Sequence, residues 1–294
     1  MLVALLAVGA IFTENVPTMR DKTIVRAAQL TLSETESRVL LLYHQVQPAS
    51  DAADAKEQLA AAAGTGDTLA RAYADAERHL PGRAVYQLCD TLLLSGGESL
   101  ARLDTVVEQT ARAGKGWLGA KLLYAPQPRQ VPDETAASDL YEAMQRASRY
   151  APRLYQAAGP QVLVPVVQAL SGKPRQAVLK GRDAAPVLLD GPGAQLYRAL
   201  EKGYGRVVLD HADRQQTLDL VVSRRCTGQG TARDVYLFVH GSMQAVPPQT
   251  VQQMKTLWQQ LRGAFPTESM PGFGSRVPIV NFVTGGKFGM FPVE

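Results

Sequence analysis

Short apolar segments alternate with helix-like segments along this chain, and this alternation restricts the possible folds more than any other feature. Residues 23–32 and 39–46 are rich in branched apolar side chains and predict two strands joined by the polar turn 33–37. Residues 51–63 are rich in Ala, Glu, Gln and Lys and predict a helix. The alternation predicts an α/β (α+β) fold in which a mixed β-sheet is flanked by helices.

The middle of the chain predicts more helices than strands. Helical patterns cover residues 67–79 and 98–113, whereas residues 84–94 fit either type. Asp133 opens an amphipathic helix with one apolar face, formed by Ala136, Leu140, Met144 and Ala147. Residues 162–167 predict an edge strand, because they contain Pro165. Residues 171–195 predict a loop, and residues 195–202 predict a short helix.

Regular strand patterns return near residue 206. We expect strands at 207–210, 217–223, 235–239 and 277–283, with an amphipathic helix over 249–262. The apolar N-terminal extension, residues 1–22, is too short to span a bilayer, which takes about 20 apolar residues. It has no Lys or Arg before Arg20, so a buried strand or helix is favoured over a targeting signal, which stays open.

Composition excludes several classes of protein. The 294 residues are 46% hydrophobic and 20% charged, which is ordinary for a globular protein with a buried core. Two cysteines cannot form a disulfide framework. They and the four histidines lack zinc-site spacing, so we expect no metal and no cofactor. The net charge of +4 favours polyanionic partners weakly.

The last residues carry a recognisable motif. Thr284, Gly285, Gly286, Lys287, Phe288 and Gly289 resemble the Thr-Gly-x-Phe-Gly strand of the D-aminoacyl-tRNA deacylases. Residues 23–63 and 206–294 follow the order of elements in that family. The resemblance implies a discontinuous deacylase-like domain made of these two segments, with residues 64–205 as a mainly helical insertion. An alternative is a tandem of two degenerate copies, because the helix after Pro132 resembles the helix after Pro247-Pro248.

The resemblance also implies that the chemistry is lost. Ser223-Arg224-Arg225-Cys226 occupies the position of the family's Ser-Gln-Phe-Thr motif and keeps only the serine. The printed sequence stops before the family's Asn-x-Gly-Pro clamp, so we expect no catalytic residues. The substrate-like pocket would keep Thr284, Gly285, Phe288 and Gly289.

Basic residues near these motifs are candidates for RNA contacts. The guanidinium groups of Arg224 and Arg225 suit phosphate, and Lys287 lies in the terminal motif. Lys115 and Trp117 form a basic turn with an aromatic side chain that could stack a base. The alternatives are a solvated arginine pair at a strand end and a surface turn with a docked tryptophan.

Three functional hypotheses follow. The first is a pseudoenzyme that is a structural or assembly component of a ribonucleoprotein, such as a mitochondrial ribosome, with rRNA or tRNA and neighbouring proteins as partners. Its mitochondrial setting rests only on a basic composition rich in Ala, Gln and Arg, and a cytoplasmic setting is the alternative. The second is an active aminoacyl-tRNA deacylase, and the third is a protein–protein scaffold unrelated to RNA.

Two other hydrolytic sites are disfavoured by the sequence. His240-Gly241 after a strand is similar to the oxyanion segment of α/β-hydrolases, but no Gly-x-Ser-x-Gly elbow follows it. Cys226 could act as a nucleophile with His211 or His240 as its base. A partly buried thiol is the simpler interpretation of that cysteine.

Overall fold

The chain divides into two compact units, Met1–Tyr155 and Gln156–Glu294. The computed structural model describes the following residues: 22–44, 59–112, 117–158, 161–167, 177–181, 186–211, 214–227, 232–241, 248–263 and 279–284. The predicted mixed α/β fold is confirmed, because a mixed six-stranded sheet is flanked by helices.

The first unit is built on this six-stranded sheet. Its strands are β1 (Lys22–Leu32), β2 (Ser37–His44), β3 (Leu59–Gly66), β4 (Arg83–Val85), β5 (Thr91–Ser95) and β6 (Lys121–Ala125). The order is β3-β2-β1-β5-β6, and β4 pairs with the start of β1. The first three strands form an antiparallel meander, whereas β4, β5 and β6 run parallel to β1. Every residue of β5 is buried, as expected for an inner parallel strand covered on both faces.

Four helices accompany this sheet among the described residues. They are α1 (Leu69–Arg78), α2 (Gly97–Ala101), α3 (Leu103–Arg112) and α4 (Glu134–Ala147). The side chain of Thr68 accepts a hydrogen bond from the backbone N–H of Arg71, and Asp133 caps α4 in the same way. Short 3₁₀ turns occur at Trp117–Gly119, Ser148–Tyr150 and Leu154–Ala158.

The packing of α1 on β3 corrects one sequence prediction. Residues 59–63 were assigned to a helix because they are rich in alanine, but they form strand β3, and residues 51–58 lie outside the described part. A Cβ atom on Gly64 would lie 2.1 Å from the backbone nitrogen of Ala76. Small side chains let the helix backbone approach the strand this closely. Tertiary packing therefore outweighs the helix propensity of alanine.

The second unit contains two smaller sheets. Strands β7 (Gln161–Pro165), β8 (Ala177–Gly181) and β9 (Val187–Leu189) form an antiparallel sheet in that order. Strand β7 lies at its edge, as Pro165 predicts. Strands β10 (Tyr204–His211), β11 (Arg214–Thr227), β12 (Ala232–Gly241) and β13 (Ile279–Thr284) form the other sheet, in which only β12 and β13 are parallel.

Two helices cover one face of the four-stranded sheet. Helix α5 (Gly191–Lys202) begins at Asp190, which caps the N–H of Gly193, and ends at Gly203 in a left-handed conformation with φ of 88°. Helix α6 (Pro248–Gly263) lies beside it. A single apolar cluster joins both helices to β10 and β11, and it includes Leu196, Leu200, Val207, Leu209, Leu218, Leu220, Met254 and Leu261.

The predicted domain boundaries need correction. The two segments expected to share one sheet, 23–63 and 206–294, supply strands to different sheets in different units. The expected helical insertion, 64–205, contains β4 to β9, and the first three of these strands complete the sheet of the first unit. Hydrophobic periodicity identifies strands, but it does not reveal which distant strand is the partner. Apart from Lys22, the apolar extension 1–22 lies outside the described residues.

Candidate interaction surface

Buried polar side chains in the first unit hold loops in place. Gln29, on β1, donates from its amide nitrogen to the carbonyl of Arg129 at 3.0 Å and accepts from the N–H of Arg129 at 3.1 Å. The hydroxyl of Ser99 accepts from the N–H of Leu32 at 2.7 Å and contacts the carbonyl of Ser95. These bonds satisfy main-chain groups of the fold itself, so the side chains of Gln29 and Ser99 have a structural role.

The ionisable groups with shifted pKa values are poor candidates for chemistry. Burial raises the pKa of the Cys89 thiol to about 12, although an interaction with the backbone of Thr91 opposes the shift. Burial is also the main cause of the raised pKa of Tyr73, Tyr86 and Tyr197. An activated nucleophile needs a lowered pKa, so these groups behave as core residues.

A shallow groove beside α1 is lined by charged side chains. Its volume is about 540 Å³, and Thr65, Gly66, Asp67, Arg71, Ala74, Asp75 and Arg78 line it. Arg71 pairs with Asp67 at 2.6 Å, and Arg78 lies 3.7 Å from Asp75. Exposed pairs of this kind contribute little energy. The groove therefore has the character of a solvated surface.

The described residues offer neither a metal site nor a membrane-spanning helix. Among the described residues, no group of three His, Cys, Asp or Glu side chains could hold a metal ion. None of the helices within the described ranges has the length and apolar character needed to cross a bilayer.

Large apolar side chains are exposed at one end of the first unit's sheet. Strands β5 and β6 are parallel, so their first residues lie side by side. Around this end, the exposed fractions are 52% for Leu88, 37% for Leu118, 61% for Tyr150 and 53% for Tyr155. We call these four residues, together with Arg149 and Arg153, the amino-end patch.

Backbone hydrogen bonds bring the segments of the amino-end patch to the same end of the sheet. The N–H of Lys121 donates to the carbonyl of Asp90 at 2.8 Å, which joins the segments that contain Leu118 and Leu88. The N–H groups of Leu122 and Leu154 donate to the carbonyls of Pro152 and Ala120 at 2.7 and 2.8 Å. The segment with both tyrosines is thereby fixed beside β6.

One basic group of the amino-end patch lies close to an aromatic ring. The Cζ atom of Arg149 lies 5.4 Å from the ring centroid of Tyr150, within the range of a cation–π contact. Arg149 and Arg153 are both exposed. Tyrosine and arginine are enriched in protein interfaces, where an apolar body and a polar tip are both useful.

The predicted RNA-binding residues fall in separate units. Ser223, Arg224, Arg225 and Cys226 lie on β11, opposite Tyr236, Val235, Asp234 and Arg233 of β12. Adjacent positions of a strand belong to opposite faces, so Arg224 and Arg225 lie on opposite faces of β11. Trp117 begins a 3₁₀ turn of the first unit, whereas both arginines belong to the second. The RNA contact of each of these residues stays a prediction.

The predicted pocket is only partly covered by the described residues. Thr284 ends β13 and pairs with Val239 of β12. The remaining candidates, Gly285, Lys287, Phe288 and Gly289, lie outside the described residues, as does Lys115.

The amino-end patch was missed by the sequence analysis. The available signal was the run Arg149-Tyr150-Ala151-Pro152-Arg153-Leu154-Tyr155, which interleaves arginines and tyrosines after a helix. That run alone does not reveal its proximity to Leu88 and Leu118, which comes from the pairing of β5 with β6.

Comparisons with known proteins add little. No family model matches the chain, and no curated protein matches it. A solved structure titled "Crystal Structure of the GerBC protein" is similar at 13% sequence identity, over 82% of this chain and 81% of that one, with a TM-score of 0.35. At this TM-score the similarity supports no conclusion about fold or function.

Proposed function

We propose that this chain is a non-catalytic component of a protein assembly and that the amino-end patch binds a protein partner. The observation that supports this proposal is the exposure of four large apolar side chains at one end of the sheet of the first unit. A group of exposed large apolar side chains is typical of an interaction site. Burial raises the pKa of Cys89 and of Tyr73, so neither has the lowered pKa of an activated nucleophile.

The exposed tyrosines are the expected anchors of such an interface. Tyr150 and Tyr155 are each more than half exposed, so a partner could cover about 100 Å² of each, given that tyrosines bury 150–250 Å². At about 25 cal/mol per Å², covering one ring contributes about 2.5 kcal/mol. Ordering of the side chains reduces that value, and we expect Tyr150→Ala to weaken binding about tenfold.

The overall charge of the first unit favours a protein partner over a nucleic acid. The unit has 16 Lys and Arg against 18 Asp and Glu, so its net charge is −2. Arg38, Arg71, Arg112 and Arg146 each contact a carboxylate. A polyanion would gain little from the net charge of this unit.

The test is recovery of native complexes with matched variants. A tagged full-length chain would be purified from its own cells as wild type, as the double variant Leu88→Asp with Tyr150→Asp, and as the control Leu188→Asp. Leu188 is 55% exposed and lies on β9, which belongs to the second unit. We expect a stoichiometric protein with the wild type and the control that is lost from the double variant. Equal recovery with all three chains would refute the proposal.

A ribonucleoprotein component is the second candidate, and the second unit favours it. That unit has 15 Lys and Arg against 9 Asp and Glu, so its net charge is +6. The test is binding of a labelled single-stranded RNA across a range of salt concentrations. Replacing Arg224 and Arg225 by Ala should reduce the slope of log K against log salt by about 1.4 if both contact phosphate. Binding without a salt dependence would exclude this candidate.

A hydrolase assay separates both candidates from the remaining alternative. Incubation with a D-aminoacyl-tRNA measures release of the amino acid above the buffer background. Turnover by the wild-type chain would overturn the non-catalytic proposal and would support an active deacylase.

A further inference from the structure

One face of the four-stranded sheet in the second unit bears no helix among those described. Both α5 and α6 pack on the face that carries Val207, Leu209, Leu218 and Leu220. The residues that alternate with these point the other way, because successive strand residues lie on opposite faces. We call this opposite surface the open face of β10–β13.

The open face of β10–β13 has an apolar row across its strands. Tyr204 on β10 is directly opposite Val221 on β11, and they are 68% and 47% exposed. The register continues from Val221 to Phe238 on β12 and from there to Val283 on β13. Four apolar residues therefore occupy one line that crosses all four strands. Aligned apolar residues of this kind are typical of the centre of an interface.

The charges beside the row are balanced. Arg206 and Asp219 are the next residues on the same face, and the Arg206 Nε atom donates to Asp219 Oδ1 at 2.7 Å with both side chains exposed. Farther along the face, Arg225 is opposite Asp234. Asp210, near the end of β10, adds a third acidic position. The open face therefore has two basic and three acidic positions and is close to neutral, although the second unit as a whole is basic.

We propose that the open face of β10–β13 binds the same face of a second copy of this chain. A two-fold interface joins a surface to itself, so it needs a surface that is complementary to itself. The adjacent Arg206 and Asp219 meet this need, because each can face the opposite charge of the other copy across the axis. Tyr204 and Val221 would then form the apolar centre.

The size of the open face fits a weak dimer. Its strands contain 8, 14, 10 and 6 residues, so at about 3.3 Å per residue and 4.8 Å between strands the face measures about 600 Å². Two copies would bury about 1,200 Å² in total, the lower limit for specific interfaces. We therefore expect a dimer whose population depends on protein concentration between about 1 and 100 μM.

Sedimentation velocity of the full-length chain over this concentration range tests the proposal. We expect Tyr204→Asp and Val221→Asp each to raise the dimer dissociation constant at least tenfold. The control Leu188→Asp and the amino-end variant Tyr150→Asp should leave it unchanged. Circular dichroism checks that each variant is folded. A wild-type chain that is monomeric throughout, or a dimer that persists in both open-face variants, would overturn the proposal.

Charge reversal gives a second, more specific test. Arg206→Glu and Asp219→Arg should each prevent self-association, because like charges then meet across the two-fold axis. An equimolar mixture of the two variants should form heterodimers, since the introduced glutamate of one copy then meets the introduced arginine of the other. Native mass spectrometry with tags of different mass detects this species. A mixture that stays monomeric would reject the two-fold pairing even if the wild type dimerises. The protein-assembly proposal would be unaffected, because it concerns the other unit.

Discussion

Replacing Gly64 by alanine should destabilise the first unit, because the new methyl group would meet the backbone of α1. The added Cβ would lie 2.1 Å from the nitrogen of Ala76 and 2.5 Å from the carbonyl oxygen of Ala72. These atoms belong to a helix backbone and cannot rotate away as a flexible side chain would. The helix or the strand must move as a whole.

The size of the effect follows from this distance. Ordinary van der Waals contact begins at 3.4 Å, so α1 would have to retreat by about 1.3 Å. That shift loosens the packing of Leu69 and Tyr73, which are buried on the same helix. Overpacking typically costs 1–3 kcal/mol, and a backbone obstruction places this change near 3 kcal/mol. For a unit of this size we expect the melting temperature to fall by about 6–12 °C.

Thermal unfolding of the full-length chain by circular dichroism measures this change. The matched control is Gly97→Ala, because nothing lies within 4 Å of the Cβ position of Gly97. There we expect no loss and a gain of up to about 1 kcal/mol from reduced freedom of the unfolded chain. Hydrogen exchange should localise the effect of Gly64→Ala to α1, β2 and β3. If the two variants have the same stability within about 0.5 kcal/mol, the inferred close contact is wrong.

Three further predictions concern two buried residues of the first unit. With a pKa of about 12, the Cys89 thiol should resist alkylation in the folded chain at pH 8, as measured by mass spectrometry of the Cys89 peptide. Because the pKa of Cys89 is higher in the folded state than in the unfolded state, burial of the neutral thiol favours the folded state. This contribution to the unfolding free energy is complete below pH 9, the pKa of cysteine in the unfolded chain. It then declines as pH rises towards 12, so between pH 8 and 10 the wild type should lose unfolding free energy more steeply than Cys89→Ala. Gln29→Leu removes both hydrogen bonds to the main chain of Arg129. We expect it to lower the unfolding free energy, measured in urea, by about 1–3 kcal/mol. An unchanged midpoint would show that water replaces these bonds.

The sequence predicts elements best where local chemistry determines them. Asp133 was expected to open a helix, and it caps α4, whose buried face includes the predicted Leu140, Met144 and Ala147. The turn between β1 and β2 and the edge position of β7 were also correct. In each case the signal lies within a few residues, as a capping oxygen, a polar turn or a proline.

Predictions failed where distant contacts decide. Strand β3 has a helical composition, and its strand conformation depends on pairing with β2 and close packing under α1. Strands β8 and β9 lie in a segment assigned to a loop because of its many Gly and Pro residues. The amino-end patch likewise depends on the parallel pairing of β5 and β6, which brings Leu88 near Leu118. No local pattern contains this information.

The division of the chain at residue 155 affects how the protein can fold during synthesis. Every strand pairing described for β1 to β6 lies between residues 22 and 125, and α4 follows directly. A nascent chain therefore has all the strands of the first sheet before β7 is translated. At typical rates of 5–20 residues per second, the remaining 139 residues take about 7–28 s to appear. The first unit has this interval to bury its leucine-rich strands while the second unit is still being synthesised.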